Sequence, residues 1–197
     1  GKYKHLAVLS FLYVWMYDAF PLILAVAGLH FLAVLLVERR FEFRPLVWAG
    51  IGIVAGLIIN PYFPTNLIFT WHHLLPKLTD ATSVSVGNEW YPYNTGQLLE
   101  NSLPAFIAFV SGAFALGLSG RKIDLRTTTS FFIALLFGLM LFKARRFVEY
   151  FPPFALIFAA FAWAPLLTDL EVFDQTQLQP VSSRVTFSSL LDNLRAS

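Results

Sequence analysis

Residues 6–37 form an almost wholly apolar stretch, interrupted at one place by Tyr17-Asp18-Ala19-Phe20-Pro21. As a single helix this stretch would extend about 48 Å at 1.5 Å per residue, well past a hydrocarbon core of about 30 Å. As two helices it gives halves of about 15 residues, short for a bilayer but closer to its thickness. Charge decides between the two. Lys2 and Lys4 lie before the stretch, and Arg39, Arg40 and Arg44 lie after it. Both groups read as cytoplasmic under the positive-inside rule, which a hairpin permits and a single span forbids. The expected arrangement is therefore a hairpin with Asp18 near its outer tip.

Similar runs recur down the chain. Residues 45–59 read as a third span, stopped by Asn60-Pro61-Tyr62-Phe63-Pro64. Residues 60–102 read as a long extracytoplasmic loop, with Lys77 as its one lysine, no arginine, and Trp71, Trp90, Tyr91 and Tyr93 at the level of the interface. Further spans are expected over residues 103–118, 129–142 and 152–167, giving about six in an all-α, polytopic membrane domain (residues 1–167). The tail, residues 168–197, is polar and acidic, then amphipathic, with Phe187, Leu190, Leu191 and Leu194 on one helical face. The composition agrees: 57% of the residues are hydrophobic and 13% charged, against about 25% charged in ordinary soluble domains. A secretory signal is a poor reading of the N-terminal run, despite Ala25 and Ala27, because Asp18 interrupts it and the apolar region is too long.

On this topology 10 of the 14 lysines and arginines lie inside and 4 outside, three of those four being Lys143, Arg145 and Arg146. Basic residues placed against the rule imply either a reversed parity or a task outside the membrane. Two neighbouring guanidiniums at the outer face can hold a phosphate bidentately. The structural alternative is an Arg145–Glu149 pair one helical turn apart.

Other constellations are less specific. The absence of cysteine excludes disulfides, thiolate metal sites and cysteine nucleophiles. No HExxH, GxSxG or P-loop pattern occurs, and the basic residues form no stripe for nucleic acid. Gly50, Gly52 and Gly56 superficially fit a dinucleotide loop but lie within a span, where small residues permit close helix packing. His30 lies within an apolar helix and is either a ligand for a haem or pigment metal or a histidine bonded to a neighbouring helix. His72 and His73 are adjacent and point about 100° apart on a helix, so they do not chelate one ion. Asp18 either binds a metal or bonds backbone donors near Pro21. Glu89 and Trp90 lie among loop groups suited to a polar substrate.

The run Leu12-Tyr13-Val14-Trp15-Met16-Tyr17-Asp18-Ala19-Phe20-Pro21-Leu22, the span closing on Asn60-Pro61-Tyr62, and Glu89-Trp90 in an outer loop together resemble the later membrane half of GT-C-type glycosyltransferases. The segment Arg145-Arg146-Phe147, Tyr150, Pro152 is similar to the start of a late span in oligosaccharyltransferase catalytic subunits, and Ser83-Val84-Ser85 with Glu89 loosely resembles their acceptor-loop motif. The resemblance implies a polyprenyl-phosphate-linked sugar donor, with Arg146, and secondarily Arg145, at the lipid phosphate. It implies Glu89 and Trp90 on the sugar-acceptor side, a divalent metal (Mg or Mn), and Asp18 as a weak catalytic candidate. The expected location is integral to a membrane, the bacterial inner (cytoplasmic) one. The family's acidic metal-binding pair has no counterpart here, so the expectation is the membrane core of such an enzyme seen without its first catalytic loop. The competing expectation is a non-enzymatic transmembrane subunit packed with other membrane subunits, respiratory or photosynthetic, in which His30 ligates a pigment or haem. The 21 phenylalanines suit lipid- and helix-facing surfaces in either case.

Overall fold

The computed structural model describes residues 3–79, 87–120 and 122–178. Among these the chain is helical throughout: α1 (Lys4–Met16), α2 (Leu22–Glu38), α3 (Arg44–Ile58), α4 (Thr65–Thr79), α5 (Thr95–Ser119), α6 (Leu125–Lys143) and α7 (Phe151–Leu178), with 3₁₀ turns at Asn88–Trp90 and Arg145–Glu149. Two compact units are distinguished, Gly1–Trp163 and Ala164–Ser197. Helices α1 to α6 and the first part of α7 belong to the first unit.

Local chemistry sets the helix ends. Tyr17 leaves α1 in an extended conformation, and Pro21, whose fixed φ suits a helix start, leads into α2. Pro45 stands in the first turn of α3, where its missing N–H costs nothing. Asn94 caps α5, its side chain accepting from the Gln97 N–H at 2.9 Å, and Gly120 ends the helix in the left-handed region at φ 57°. Asp124 caps α6 by accepting from the Arg126 and Thr127 N–H groups at 3.3 and 3.2 Å. Lys143 lies in the last turn of α6, where a cation is favoured by the helix dipole.

Among the described residues three helices are long and apolar enough to cross a membrane: α5, α6, and α7 over Phe151–Thr168. The apolar helices α1, α2 and α3 have 13, 17 and 15 residues, short of a full crossing if straight and untilted. Apolar side chains stand exposed along the long helices, Phe114 at 68%, Leu139 at 61% and Leu156 at 60%. Such continuous exposure suits lipid and not water.

Several expectations change in detail. The break at residues 17–21 is real, yet α1 packs chiefly on α3, while α2 packs on α3 and α6. Residues 60–102 are not a plain loop. They hold α4, a 3₁₀ turn and the first two turns of α5, which begins at Thr95 because Asn94 caps it there. The last helix runs past residue 167 to Leu178. The amphipathic positions Phe187, Leu190, Leu191 and Leu194 and the motif Ser83–Ser85 lie outside the described residues.

The α1–α3 contact shows what the α3 glycines do. A Cβ on Gly52 would stand 2.1 Å from the Ala7 carbonyl oxygen, and one on Gly56 2.9 Å from Val14 Cβ. The backbones approach closely enough for Trp15 Nε1 to donate to the Gly56 carbonyl at 2.9 Å. Gly50 has nothing within 4 Å. Gly52→Ala is therefore expected to destabilise the protein by about 1–3 kcal/mol, as overpacking does. Gly50→Ala should stabilise slightly or change nothing, because alanine is the better helix former. Unfolding of both variants in mixed micelles checks the contrast, and equal effects would refute the packing role.

Candidate functional site

Three segments distant in sequence meet where α1 ends. The first is the α1–α2 turn, which presents Tyr17. The second is the Asn88–Trp90 turn with Tyr91, Pro92 and Tyr93 behind it. The third is the Arg145–Glu149 turn between α6 and α7. Ala144 leaves α6 in an extended conformation and redirects the chain, so that the two arginines face this junction.

The arginines have different work. In a 3₁₀ turn successive side chains diverge by about 120°, and here they take separate partners. Arg145 is committed to the 91–93 segment. Its backbone N–H donates to the Tyr91 carbonyl at 3.1 Å and its Nε to the same oxygen at 3.2 Å. Its Nη2 donates to the Pro92 carbonyl at 3.1 Å, and its guanidinium lies 5.1 Å from the Tyr93 ring centroid. Arg145 thus pins the loop, and it pairs neither with Glu149 nor with Arg146's partners.

Arg146 is the centre of a polar cluster. Nη1 donates to Glu89 Oε2 at 2.7 Å and Nη2 to Tyr17 Oη at 3.1 Å, and Tyr17 Oη lies 2.5 Å from Tyr150 Oη. The guanidinium also lies 5.9 Å from the Tyr17 ring centroid. Arg146 Nε is buried without a hydrogen-bond partner. The hydrogen bonds to Tyr17 and Glu89 hold the guanidinium pKa above its already high usual range. The ion pair itself is weakly held. The Glu89 side chain is 47% exposed, and pairs of this kind are worth about 0.2–1 kcal/mol.

Below the cluster the aromatic rings continue inward. Tyr150 stacks on Phe137 at 5.1 Å between centroids, and Trp90 meets Phe147 edge-on at 6.4 Å. Burial, then the bond to Tyr17, pushes the Tyr150 hydroxyl pKa well up. An unfolded tyrosine ionises near pH 10, whereas the native one keeps its proton. The unfolded state then binds fewer protons above about pH 10, so stability falls as pH rises through that region and is unaffected below it. Alkaline unfolding should show this decline in the wild type and less of it in Tyr150→Phe. An identical decline in both would remove Tyr150 as its source.

The remaining candidates fall elsewhere. Asp18 is exposed in the α1–α2 turn, next to Tyr17. His30 on α2 lies with Nδ1 3.4 Å from Thr129 Oγ1 on α6, a lateral helix-to-helix contact. His72 is exposed on α4. Among the described residues no three His, Cys, Asp or Glu side chains converge to hold a metal ion. Tyr17 and its partner Tyr150 are the cluster residues that the sequence reading does not single out as a site, Tyr17 being the less visible. Its signal was only a hydroxyl at a helix break, and its partners lie 129 and 133 positions away. Comparison with protein-family models, with curated proteins and with solved structures returns no match.

Proposed function

We propose that this chain is the membrane-embedded part of a glycosyltransferase that takes its sugar from a polyprenyl-phosphate-linked donor, with Arg146 at the donor's phosphate. One observation carries the reading. Segments that carry the GT-C resemblance, the run holding Tyr17, the loop holding Glu89 and the turn holding Arg146 with Tyr150, supply the members of one hydrogen-bonded cluster. In such a reaction the bond between the sugar's anomeric carbon and the phosphate oxygen breaks, and negative charge grows on the departing phosphate. A fixed guanidinium stabilises that charge as it develops. Arg146 is suited to this because Tyr17, braced by Tyr150, fixes its orientation. Glu89 and Trp90 then lie on the sugar-acceptor side.

The same reading takes α1, α2 and α3 as shorter spans beside the three long ones, six in all, with the cluster at the outer face. We propose the bacterial inner membrane as its compartment. The test is direct binding. The full chain in phosphatidylcholine nanodiscs should bind farnesyl phosphate saturably and leave farnesol, its uncharged alcohol, unbound. Equal uptake of both would overturn the phosphate site. A visible absorption band lost in His30→Ala would favour the membrane-subunit alternative.

A further inference from the structure

A guanidinium has five N–H donors on three nitrogens. On Arg146 the two terminal nitrogens are occupied by partners of unlike permanence. Tyr17 Oη, which takes Nη2, is held in turn by Tyr150 at 2.5 Å, and both phenols are partly buried against the helices. Glu89, which takes Nη1, is about half exposed and belongs to a three-residue turn. To a guanidinium, a phosphate oxygen and a carboxylate oxygen are equivalent acceptors, and both form short charge-assisted bonds. They compete for the one Nη1 N–H that faces Glu89, while the second N–H of each terminal nitrogen and that of Nε lie outside this pair.

The phenol pair adds a second donor beside it. Two phenols carry two protons, and the hydroxyl–hydroxyl bond uses one of them. Whichever way that bond runs, one O–H is left to donate outward, within one hydrogen bond of the guanidinium. A carboxylate held end-on by Nη1 leaves that proton unused. A phosphate group, with three or more oxygens, has acceptors for both.

We infer that Glu89 is the resident competitor of an anion site. A phosphate ester displaces its carboxylate from Arg146 Nη1 while Nη2 stays on Tyr17, and the freed carboxylate becomes available to the sugar acceptor. This rests on the donor-phosphate reading of Arg146 and adds to it an order of events: the phosphate binds first, and the acceptor side acquires its carboxylate as a consequence.

The exchange makes a prediction that a simple binding site does not, because deleting a side chain from the cluster improves binding. The full chain in phosphatidylcholine nanodiscs is titrated calorimetrically with farnesyl phosphate and, separately, with inorganic phosphate. Glu89→Gln and Glu89→Ala should each bind farnesyl phosphate about two- to fivefold more tightly than the wild type, the range a partly exposed ion pair supplies. Arg146→Gln should bind more weakly, and adding Glu89→Gln to it should bring no gain. A gain that persists without Arg146 is general removal of negative charge and overturns the exchange. Weak binding by Arg146→Gln together with unchanged or weaker binding by both Glu89 variants also overturns the exchange, while the donor-phosphate reading stands. Wild-type affinity in Arg146→Gln overturns both. The same gain with inorganic phosphate assigns recognition to the phosphate group itself, and a gain with farnesyl phosphate alone assigns it to a lipid headgroup; either supports the exchange. Misfolding cannot tighten binding, so the gain is a reading that a damaged protein does not imitate.

Discussion

Arg146→Ala is expected to weaken farnesyl phosphate binding about a hundredfold, a loss of about 2.7 kcal/mol. The size follows from what is removed. A hydrogen bond to a charged group contributes about 1.5–3 kcal/mol, and Arg146 presents its fork at the junction of three segments. Arg146→Lys should fall between alanine and the wild type, since it keeps the charge but loses the planar fork. Arg145→Ala should behave differently. The Arg145 side chain is spent on the Tyr91 and Pro92 carbonyls and the Tyr93 ring, so its loss loosens the loop that carries Glu89 and leaves the Pro92 carbonyl without its partner, while the backbone N–H of residue 145 still holds Tyr91. A stability loss of about 2 kcal/mol is expected there, with a smaller effect on affinity. The check is to measure affinity and unfolding on both variants. If Arg145→Ala lost the affinity and Arg146→Ala the stability, the roles assigned to the two arginines would be reversed.

The difference between these neighbours marks the limit of what the sequence discloses. Hydrophobic runs and their breaks locate α1, α2, α3 and α6 to within a few residues but miss the start of α5 and the end of α7, because burying a backbone in lipid leaves helix as the ready solution for each run. The Gly52 and Gly56 spacing announced close packing, and the α1–α3 contact bears that out. The charge of Lys143, Arg145 and Arg146 points to the turn in which Arg146 meets Tyr17 and Glu89. What could not be read was the division of labour inside it. That depends on a 3₁₀ geometry, which sends Arg145 and Arg146 to different partners, and on contacts spanning 53 to 129 positions. The loop ends were misplaced for a similar reason. Asn94 starts α5 two turns early through a local cap, a signal that a hydropathy reading passes over. His30 illustrates the opposite case. An ionisable residue in an apolar helix invites a functional reading, but its 3.4 Å contact with Thr129 is what helix-to-helix bonding supplies.

Phe158→Ala is expected to destabilise the protein by about 3–5 kcal/mol, the range for removing a buried aromatic ring from a packed core. Phe158 is 0% exposed, and its ring lies 5.4 Å from that of Phe109 on α5 and 5.2 Å from that of Phe131 on α6. Between membrane helices lipid is as apolar as the ring, so what is lost is mainly packing contact and not transfer from water. The site has no slack on its other side. A Cβ on Gly112 would stand 2.9 Å from Phe158 Cε1 and 3.0 Å from Ala159 Cα, so Gly112→Ala should cost about 1–3 kcal/mol by overpacking. The two substitutions act on one contact and must therefore couple. Removing the ring relieves the first clash but not the second, because Ala159 Cα belongs to the backbone of α7. In the double variant the cost of Gly112→Ala should fall without vanishing, giving a coupling of about 0.5–3 kcal/mol. Unfolding of the wild type, both single variants and the double variant measures it. Strict additivity would mean that the glycine serves the backbone approach alone, and full rescue that the ring alone sets the helix spacing.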